Sequence, residues 1–204
     1  MLLLTGGYDS KIHVYMTEQG KQASELRYQF SAPGHFNSIK ALAFSPELAQ
    51  NAFYLASGSQ DHNIRIWKLQ PMENLSAEET KDASAADADG EDEDETWMKQ
   101  FETKTSIVFK DSHDVAYNFS LESVLQHHQE AISSVCWQVP NSIKAEGRPL
   151  NINDLRLLSS SFDFNVSLWE ADRETEAWSV ESTLGAMVGN KHAFFGAMFL
   201  NDID

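Results

Sequence analysis

Three segments of the chain share one pattern, and this internal repeat constrains the fold more than any other feature. The segments are LLLTGGYDSKIHVY (2–15), YLASGSQDHNIRIW (54–67) and LLSSSFDFNVSLW (157–169). In each, an apolar run leads to a hydroxyl residue, an aspartate follows four positions later, and an aromatic residue lies six positions after the aspartate. Self-similarity of this kind is typical of repeat architectures, so each segment is predicted to lie in one structural unit.

Each repeated segment is predicted to form a β-hairpin. Apolar and small residues alternate with polar ones on both sides of the aspartate, and β-branched residues are frequent. An aspartate beside serine or asparagine can hydrogen-bond to its own backbone and reverse the chain. Further strands are predicted at residues 26–30, 39–44, 120–125, 132–139 and 178–184. Four strands per unit are expected for a propeller blade.

One unit resembles the WD repeat closely. A Gly-His pair, Gly34-His35, precedes the motif SGSxDxxIRIW, and the unit ends in Trp67-Lys68. The third unit has His127-His128 in place of Gly-His, and the first lacks its opening strand. The resemblance implies an all-β WD40 β-propeller, here an incomplete arc of about three four-stranded blades, whose exposed edges and apolar sides favour association.

The strand pattern predicts a division into four parts. Residues 1–30 are expected to form a partial WD blade, residues 31–125 and 126–185 a blade each, and residues 186–204 the first strand of a following blade, at 194–200.

An acidic insertion is predicted at about 71–103, between the third and fourth strands of the second blade. From Glu73 to Glu95 it holds eleven carboxylates against the single Lys81. Its core, EETKDASAADADGEDEDE, has no large apolar residue, so it is expected to be a disordered loop. The apolar flank that ends in Ile107, Val108 and Phe109 is expected to pack as a strand or against a neighbouring protein.

The histidine, serine and aspartate of two units could be interpreted as a nucleophilic triad for acyl transfer. The WD resemblance implies a structural role instead, in which aspartate, histidine, hydroxyl and indole form a hydrogen-bonded tetrad inside each blade. The predicted tetrads are His35, Ser57, Asp61 and Trp67, then His128, Ser159, Asp163 and Trp169, with a degenerate set of Thr5, Asp9 and Tyr15.

Composition argues against several other functions. The formal net charge of −16 disfavours direct nucleic-acid binding, and Cys136, the only cysteine, cannot form an internal disulfide or a thiolate zinc site. The histidines lack metal-ligand spacing, and no glycine-rich phosphate loop is present, so no metal or cofactor is expected. No apolar run approaches the length of a membrane span, which favours a soluble, unsecreted protein.

Three longer stretches narrow the resemblance further. They are GHFNSIKALAFSPEL, LASGSQDHNIRIWKLQP and SSSFDFNVSLWEADRETEAWSVESTLGAMVGNKHAFFGA, and they resemble the family of WD-repeat scaffold subunits of the Elongator complex. This resemblance implies a non-catalytic scaffold that holds the large and catalytic subunits together for tRNA wobble-uridine modification, in cytoplasm and nucleus. The alternatives are a WD adaptor of a signalling or ubiquitin-ligase assembly and a Ser/His/Asp propeller hydrolase.

Overall fold

The chain folds into three successive antiparallel sheets, here called blades 1, 2 and 3. The computed structural model describes residues 2–17, 26–72, 106–111, 114–139, 148–185 and 189–199. All its regular elements are strands, apart from two short 3₁₀ turns at Ala49–Asn51 and Ile152–Asp154. The all-β fold and the incomplete arc of blades predicted from the repeat are thus confirmed.

Blade 1 is a three-stranded sheet with the order β1-β2-β3. Its strands are β1 (Leu2–Gly6), β2 (Ile12–Met16) and β3 (Arg27–Ala32). The first two are the arms of the first repeated hairpin, and Thr5 lies opposite His13 across it. The strand predicted at 26–30 is found as β3.

Blade 2 has five strands rather than the four predicted. They are β4 (Ile39–Phe44), β5 (Phe53–Ser59), β6 (Asn63–Pro71), β7 (Ser106–Lys110) and β8 (Ala116–Gln126), in the order β4-β5-β6-β8-β7. The extra strand is β7, which pairs with the first half of β8 at the outer edge. It forms because its apolar side chains find partners there: the Phe109 ring lies 5.1 Å from Phe30 of blade 1 and 5.7 Å from Tyr117. The apolar flank of the insertion therefore packs partly as a strand.

Blade 3 is a four-stranded sheet, as expected for one repeat unit. Its strands are β9 (Ile132–Gln138), β10 (Arg156–Ser161), β11 (Asn165–Ala171) and β12 (Trp178–Gly185), in the order β12-β11-β10-β9. The third repeated hairpin is β10 with β11, and Ser159 lies opposite Ser167 across it.

The core lies between the blades, because successive side chains of a strand point to opposite faces of its sheet. Leu55 and Trp67 of blade 2 belong to a buried cluster with Ile12 and Val14 of blade 1. Alternate residues on the same two strands pack in the other direction. They form a second cluster with blade 3, whose members include Ala56, Ile64, Ile66, Ile132, Val135 and Trp137.

Two glycines allow each blade to approach the next. A Cβ on Gly6 would lie 2.6 Å from Ile39, the first residue of β4, and a Cβ on Gly58 would lie 2.5 Å from Ile132, the first residue of β9. Both glycines stand three residues before the repeated aspartate. The close contact between neighbouring blades is thus itself part of the repeat.

The strand predicted at 194–200 is absent. Residues 189–199 are described, and none of them lies in a strand. Instead, the amide of Ala197 donates to Ser134 Oγ (2.9 Å), so this stretch lies against β9 of blade 3. The physical reason is that a strand needs a neighbour to satisfy its backbone groups, and no later strand follows in the part of the chain that the structure describes.

Residues 73–103 of the predicted acidic insertion lie outside the described residues. Of the predicted range 71–103, the structure describes Pro71 and Met72. Its predicted disorder therefore stays a prediction.

We expect Gly58→Ala to destabilise the contact between blades 2 and 3. The added methyl group would meet the Ile132 side chain at 2.5 Å, and overpacking of this kind costs about 1–3 kcal/mol of unfolding free energy. Urea denaturation followed by tryptophan fluorescence measures the change. Gly7→Ala is the matched control, because its methyl group would find its nearest neighbour at 3.7 Å. Equal stability of the two variants would contradict this account.

Candidate functional site

The four predicted side chains of blade 2 form a continuous chain of hydrogen bonds. Trp67 Nε1 donates to Ser57 Oγ (2.9 Å), and Ser57 Oγ lies 2.7 Å from His35 Nε2. His35 Nδ1 in turn lies 2.9 Å from Asp61 Oδ2. Ser57 and Trp67 have no solvent-exposed surface, and the network is buried inside the blade.

Blade 3 repeats this chain with nearly identical geometry. Trp169 Nε1 donates to Ser159 Oγ (2.9 Å), which lies 2.8 Å from His128 Nε2. His128 Nδ1 lies 2.8 Å from Asp163 Oδ2. The structure therefore brings together all eight side chains that were predicted to form the two complete tetrads.

Local backbone geometry aims the aspartates at the histidines. In blade 2, Asp61 Oδ1 accepts from the amide of Asn63 (3.0 Å), while Oδ2 also accepts from the amide of Phe36 (2.9 Å). His62, between Asp61 and Asn63 in the chain, has φ = 70°, the left-handed conformation that closes the tight turn. In blade 3, Phe164 occupies the same place with φ = 68°. Each carboxylate thus joins the turn between two strands to the loop that carries the histidine.

Sequence reasoning missed one pair of residues in these networks. Ser59 and Ser161 stand two positions before the aspartates, and each accepts a hydrogen bond from the aspartate amide, at 3.1 and 3.2 Å. Each also donates to a carbonyl in the histidine-bearing loop, Ser59 to Asn37 and Ser161 to Glu130. Both serines are fully buried. The signal was present, since SGSQD and SSSFD share this serine.

The hydrogen-bond network bears on the protonation of His128. Because the indole N–H of Trp169 donates to the oxygen of Ser159, the Ser159 hydroxyl is free to donate to His128 Nε2. With such a bond, the proton of the His128 ring lies on Nδ1, from which it donates to Asp163. Burial of His128 lowers its pKa below the usual 6.5, against the opposing attraction of Asp163, in agreement with this assignment.

Both aspartates stay ionised inside the blades. Burial alone would raise the pKa of Asp61, but the hydrogen bond from His35 and the amide donors of Phe36 and Asn63 outweigh it and lower the pKa to about 2. The pKa of Asp163 is lowered in the same way, by the amide of Gln129 and the ring of His128, against burial.

The predicted degenerate tetrad of blade 1 does not form. Thr5 is exposed, no hydrogen bond among the described residues joins Thr5, Asp9 and Tyr15, and the Tyr15 ring lies edge-on to Tyr28. Asp9 instead accepts from His13 Nε2 at 2.6 Å, within the same hairpin. The reason is that the tetrad histidine comes from the loop before the first strand of a blade, and β1 is the second strand of its unit.

The burial of the tetrad hydroxyls bears on the hydrolase alternative. A nucleophilic serine must be reached by its substrate, whereas Ser57 and Ser159 are both 0% exposed. Each hydroxyl oxygen is also held between a tryptophan indole and a histidine ring. The geometry therefore fits a structural network, and it counts against acyl transfer at these two serines.

Three further observations concern metal ligands, the cysteine and membrane-spanning helices. Among the described residues, no three histidine, cysteine, aspartate or glutamate side chains converge as metal ligands would. Cys136 is a free thiol. Within the same ranges, no helix is sufficiently long and apolar to cross a membrane.

The repeats match a known family model. The WD domain, G-beta repeat model matches residues 25–68 and 119–170, which contain all eight side chains of the two complete tetrads. The chain is also similar to Elongator complex protein 2 of several eukaryotes. It is 29% identical to the Dictyostelium discoideum protein over 97% of this chain, and 30% identical to the Drosophila melanogaster protein over 99%.

The chain is a WD-repeat protein related to Elongator complex protein 2. The human relative is 28% identical over 98% of this chain, and the similarity extends to the yeast Saccharomyces cerevisiae at 25%. The chain spans 20–24% of the length of the curated relatives it matches. Among solved structures, the WD40 repeats of RRP9 give a TM-score of 0.43 at 14% identity, over 88% of this chain and 32% of that chain.

We expect Asp61→Ala to destabilise this WD-repeat chain strongly. The change leaves His35 and the Phe36 amide without their acceptor inside the blade, which costs at least about 2 kcal/mol of unfolding free energy. Thermal unfolding by circular dichroism measures it. The matched control is Asp9→Ala, whose exposed carboxylate serves only its own hairpin and should change stability by less than about 1 kcal/mol. A stable Asp61→Ala variant would refute the structural role.

Acidification should weaken the fold in two steps. The folded pKa of His128 lies below 6.5, so the unfolded chain takes up its proton first, and the stabilisation present above pH 6.5 is lost as the pH falls through the folded pKa. The folded pKa values of Asp61 and Asp163 lie below 3.8, so a second loss follows below about pH 4. Urea denaturation at pH 7.5, 5.5 and 4.5 tests the first step. His128→Gln should flatten it, and an unchanged slope in that variant would contradict the assignment.

Proposed function

We propose that this chain serves as a non-catalytic WD-repeat scaffold of the Elongator complex. The observation that carries the proposal is the similarity to Elongator complex protein 2, which runs through 91–99% of the chain in eight relatives from slime mould, plant, animals and yeast. In this role the chain contributes binding surface to the large subunit and to the catalytic subunit. The modification of wobble uridines in tRNA is then carried out by the catalytic subunit.

The geometry of the blades supports a scaffold. Tetrads hold blades 2 and 3, and close contacts at Gly6 and Gly58 join each blade to the next, so loops at both ends of the strands are presented on a rigid frame. Exposed aromatic side chains mark the end that carries the tetrad turns. They include Tyr8 (89% exposed), Phe36, Phe162 and Phe164. Surface of this kind suits protein partners.

Charge supports protein partners over tRNA for this chain. The net charge of −16 repels phosphates, and affinity for nucleic acid depends on lysine and arginine contacts, of which the chain has only fifteen candidates. We infer that tRNA is contacted elsewhere in the assembly. We also propose that the protein acts in cytoplasm and nucleus, as this resemblance implies.

The competing proposal is a WD adaptor of an unrelated signalling or ubiquitin-ligase assembly. It explains the repeats and the tetrads equally well, because a WD propeller is a general platform for protein binding. It does not explain why the similarity to a single named subunit continues through nearly all of the chain, beyond the repeat motifs. A propeller hydrolase is less well supported, since its two candidate serines are buried.

Affinity purification with mass spectrometry distinguishes these proposals. The tagged protein, expressed at native level in its own cells, should recover the large and catalytic subunits of Elongator, and its depletion should lower wobble-uridine modification in tRNA. Asp9→Ala is the folding-neutral control, which should recover the same subunits, while Asp61→Ala should lose them together with the fold. Recovery of ubiquitin-ligase or signalling subunits without Elongator would establish the adaptor alternative.

A further inference from the structure

Residues 194–199 begin to dock on blade 3 in the way that the first strand of blade 2 docks on blade 1. The amide of Ile39, the first residue of β4, donates to the carbonyl of Gly7 in blade 1 (2.9 Å). The amide of Phe194 donates to the carbonyl of Ser161 in blade 3 (3.4 Å). Gly7 and Ser161 both stand two positions before the repeated aspartate. Phe194 therefore occupies at blade 3 the position that Ile39 occupies at blade 1.

The next residue of each segment makes a second equivalent contact. Lys40 lies over the ring of Tyr8, with Nζ 4.8 Å from the ring centroid. Phe195 lies against the ring of Phe162, with 5.5 Å between the ring centroids. Tyr8 and Phe162 each stand immediately before the repeated aspartate. Residues 194–199 thus start where the first strand of a following blade would lie, and among the described residues they have no strand to pair with.

Strand β1 has the opposite deficiency. Its counterparts in the repeat, β5 and β10, each pair with the first strand of their own blade, whereas β1 pairs only with β2 among the described strands. Backbone N–H and C=O groups along its other edge therefore lie open to a further strand. Leu3 is 41% exposed, while its counterpart in blade 2, Leu55, is 1% exposed. Thr5 is likewise exposed, while its counterpart Ser57 is buried.

The two outer faces of the arc also carry apolar side chains that a further blade would cover. On the far face of blade 3, Leu158, Val166 and Leu168 are only half-buried. Their counterparts in blade 2 are fully buried against blade 3: Ala56, Ile64 and Ile66. On blade 1, Leu4 packs toward blade 2, so its neighbour Leu3 faces the other way. Each face thus resembles one half of a boundary between blades.

We propose that residues 194–199 of one copy of the chain pair with β1 of a second copy and supply the missing first strand of its blade 1. The second copy is the occupant because every copy carries both halves of the contact, the unpaired segment and the open edge. The reciprocal contact closes two copies, with three blades each, into a ring of six blades. Propellers close with about four to eight blades, and closure leaves no open edge.

The register of the pairing follows from blade 2. Because Phe194 corresponds to Ile39, Ala197 corresponds to Leu42, which lies opposite Ser57 across the β4–β5 pair. The counterpart of Ser57 in blade 1 is Thr5. Ala197 of one copy therefore lies opposite Thr5 of the second copy.

Analytical ultracentrifugation of the whole chain tests the assembly, and we expect twice the mass of one copy. Met198 corresponds to Ala43, which packs against the core between two blades, so Met198→Asp should weaken the dimer at least about a hundredfold. Phe195→Asp is the matched control, because Phe195 corresponds to the exposed Lys40 and stays exposed in the ring. In a single copy the two side chains are almost equally exposed, at 80% and 83%. Circular dichroism should show the same β content in both variants.

A disulfide cross-link tests the register in a Cys136→Ser background. Thr5→Cys and Ala197→Cys place the two thiols on residues that face each other across the proposed pair, about 4.5–5.5 Å apart between Cα atoms, so oxidation should give a covalent dimer. Met198→Cys in place of Ala197→Cys is the control, because its side chain points to the opposite face of the strand.

Three results would overturn the proposal: a monomer at every concentration, a dimer that Met198→Asp leaves unchanged, or an open series of larger oligomers. Equal cross-linking of the two cysteine pairs would contradict the register. The purified chain alone is measured, so these outcomes are independent of the Elongator purification.

Discussion

A buried chain of hydrogen bonds from indole to carboxylate is the interaction on which each complete blade depends. Its four members come from four places: the loop before the first strand, the second strand, the following turn and the third strand. In blade 2 these are His35, Ser57, Asp61 and Trp67. The chain satisfies polar groups that the blade has removed from water, and each member would be costly to bury without the others. It therefore links strand pairing to the position of the loop that enters the blade.

Contacts between blades follow from a second repeated constraint, which is steric. Gly6 and Gly58 leave room for the first isoleucine of the next blade. In blade 3 the same position, three residues before the aspartate, is Ser160, whose hydroxyl bonds to Ser133 and Ser134 on β9. Ser134 is also the residue that accepts from the Ala197 amide. The far side of blade 3 is thus polar where the other two boundaries are apolar, and residues 194–197 cross it without forming a strand.

How much the sequence predicted depends on how local the determining contacts are. The hairpins and both tetrads were predictable, because alternation, the turn at Asp61 or Asp163 and the spacing to the tryptophan all lie within one repeat. Strand β7 was predictable only in part. The two rings that its Phe109 contacts belong to other strands: Phe30 is in blade 1, and Tyr117 is in β8, which follows β7. The blade 1 tetrad was wrongly predicted because Asp9 and Tyr15 match the local pattern while the histidine that completes it belongs to a loop outside the hairpin. The hydrogen bond from the Ala49 amide to the Leu150 carbonyl had no sequence signal, since it joins two loops about one hundred residues apart that meet only in the folded chain.

The two ends of the strands consequently differ in what they can do. At the tetrad end, the polar atoms of each tetrad satisfy one another, and outer aromatic side chains such as Tyr8 and Phe36 are exposed to a partner. At the other end, backbone and salt-bridge contacts brace the loops, from Ala49 to Leu150 and from Arg148 to Asp154. A satisfied network of buried polar groups makes a blade rigid, and a rigid blade presents its loops in fixed positions. The same strands, β5 and β10, thus carry the tetrad turns at one end and the braced loops at the other.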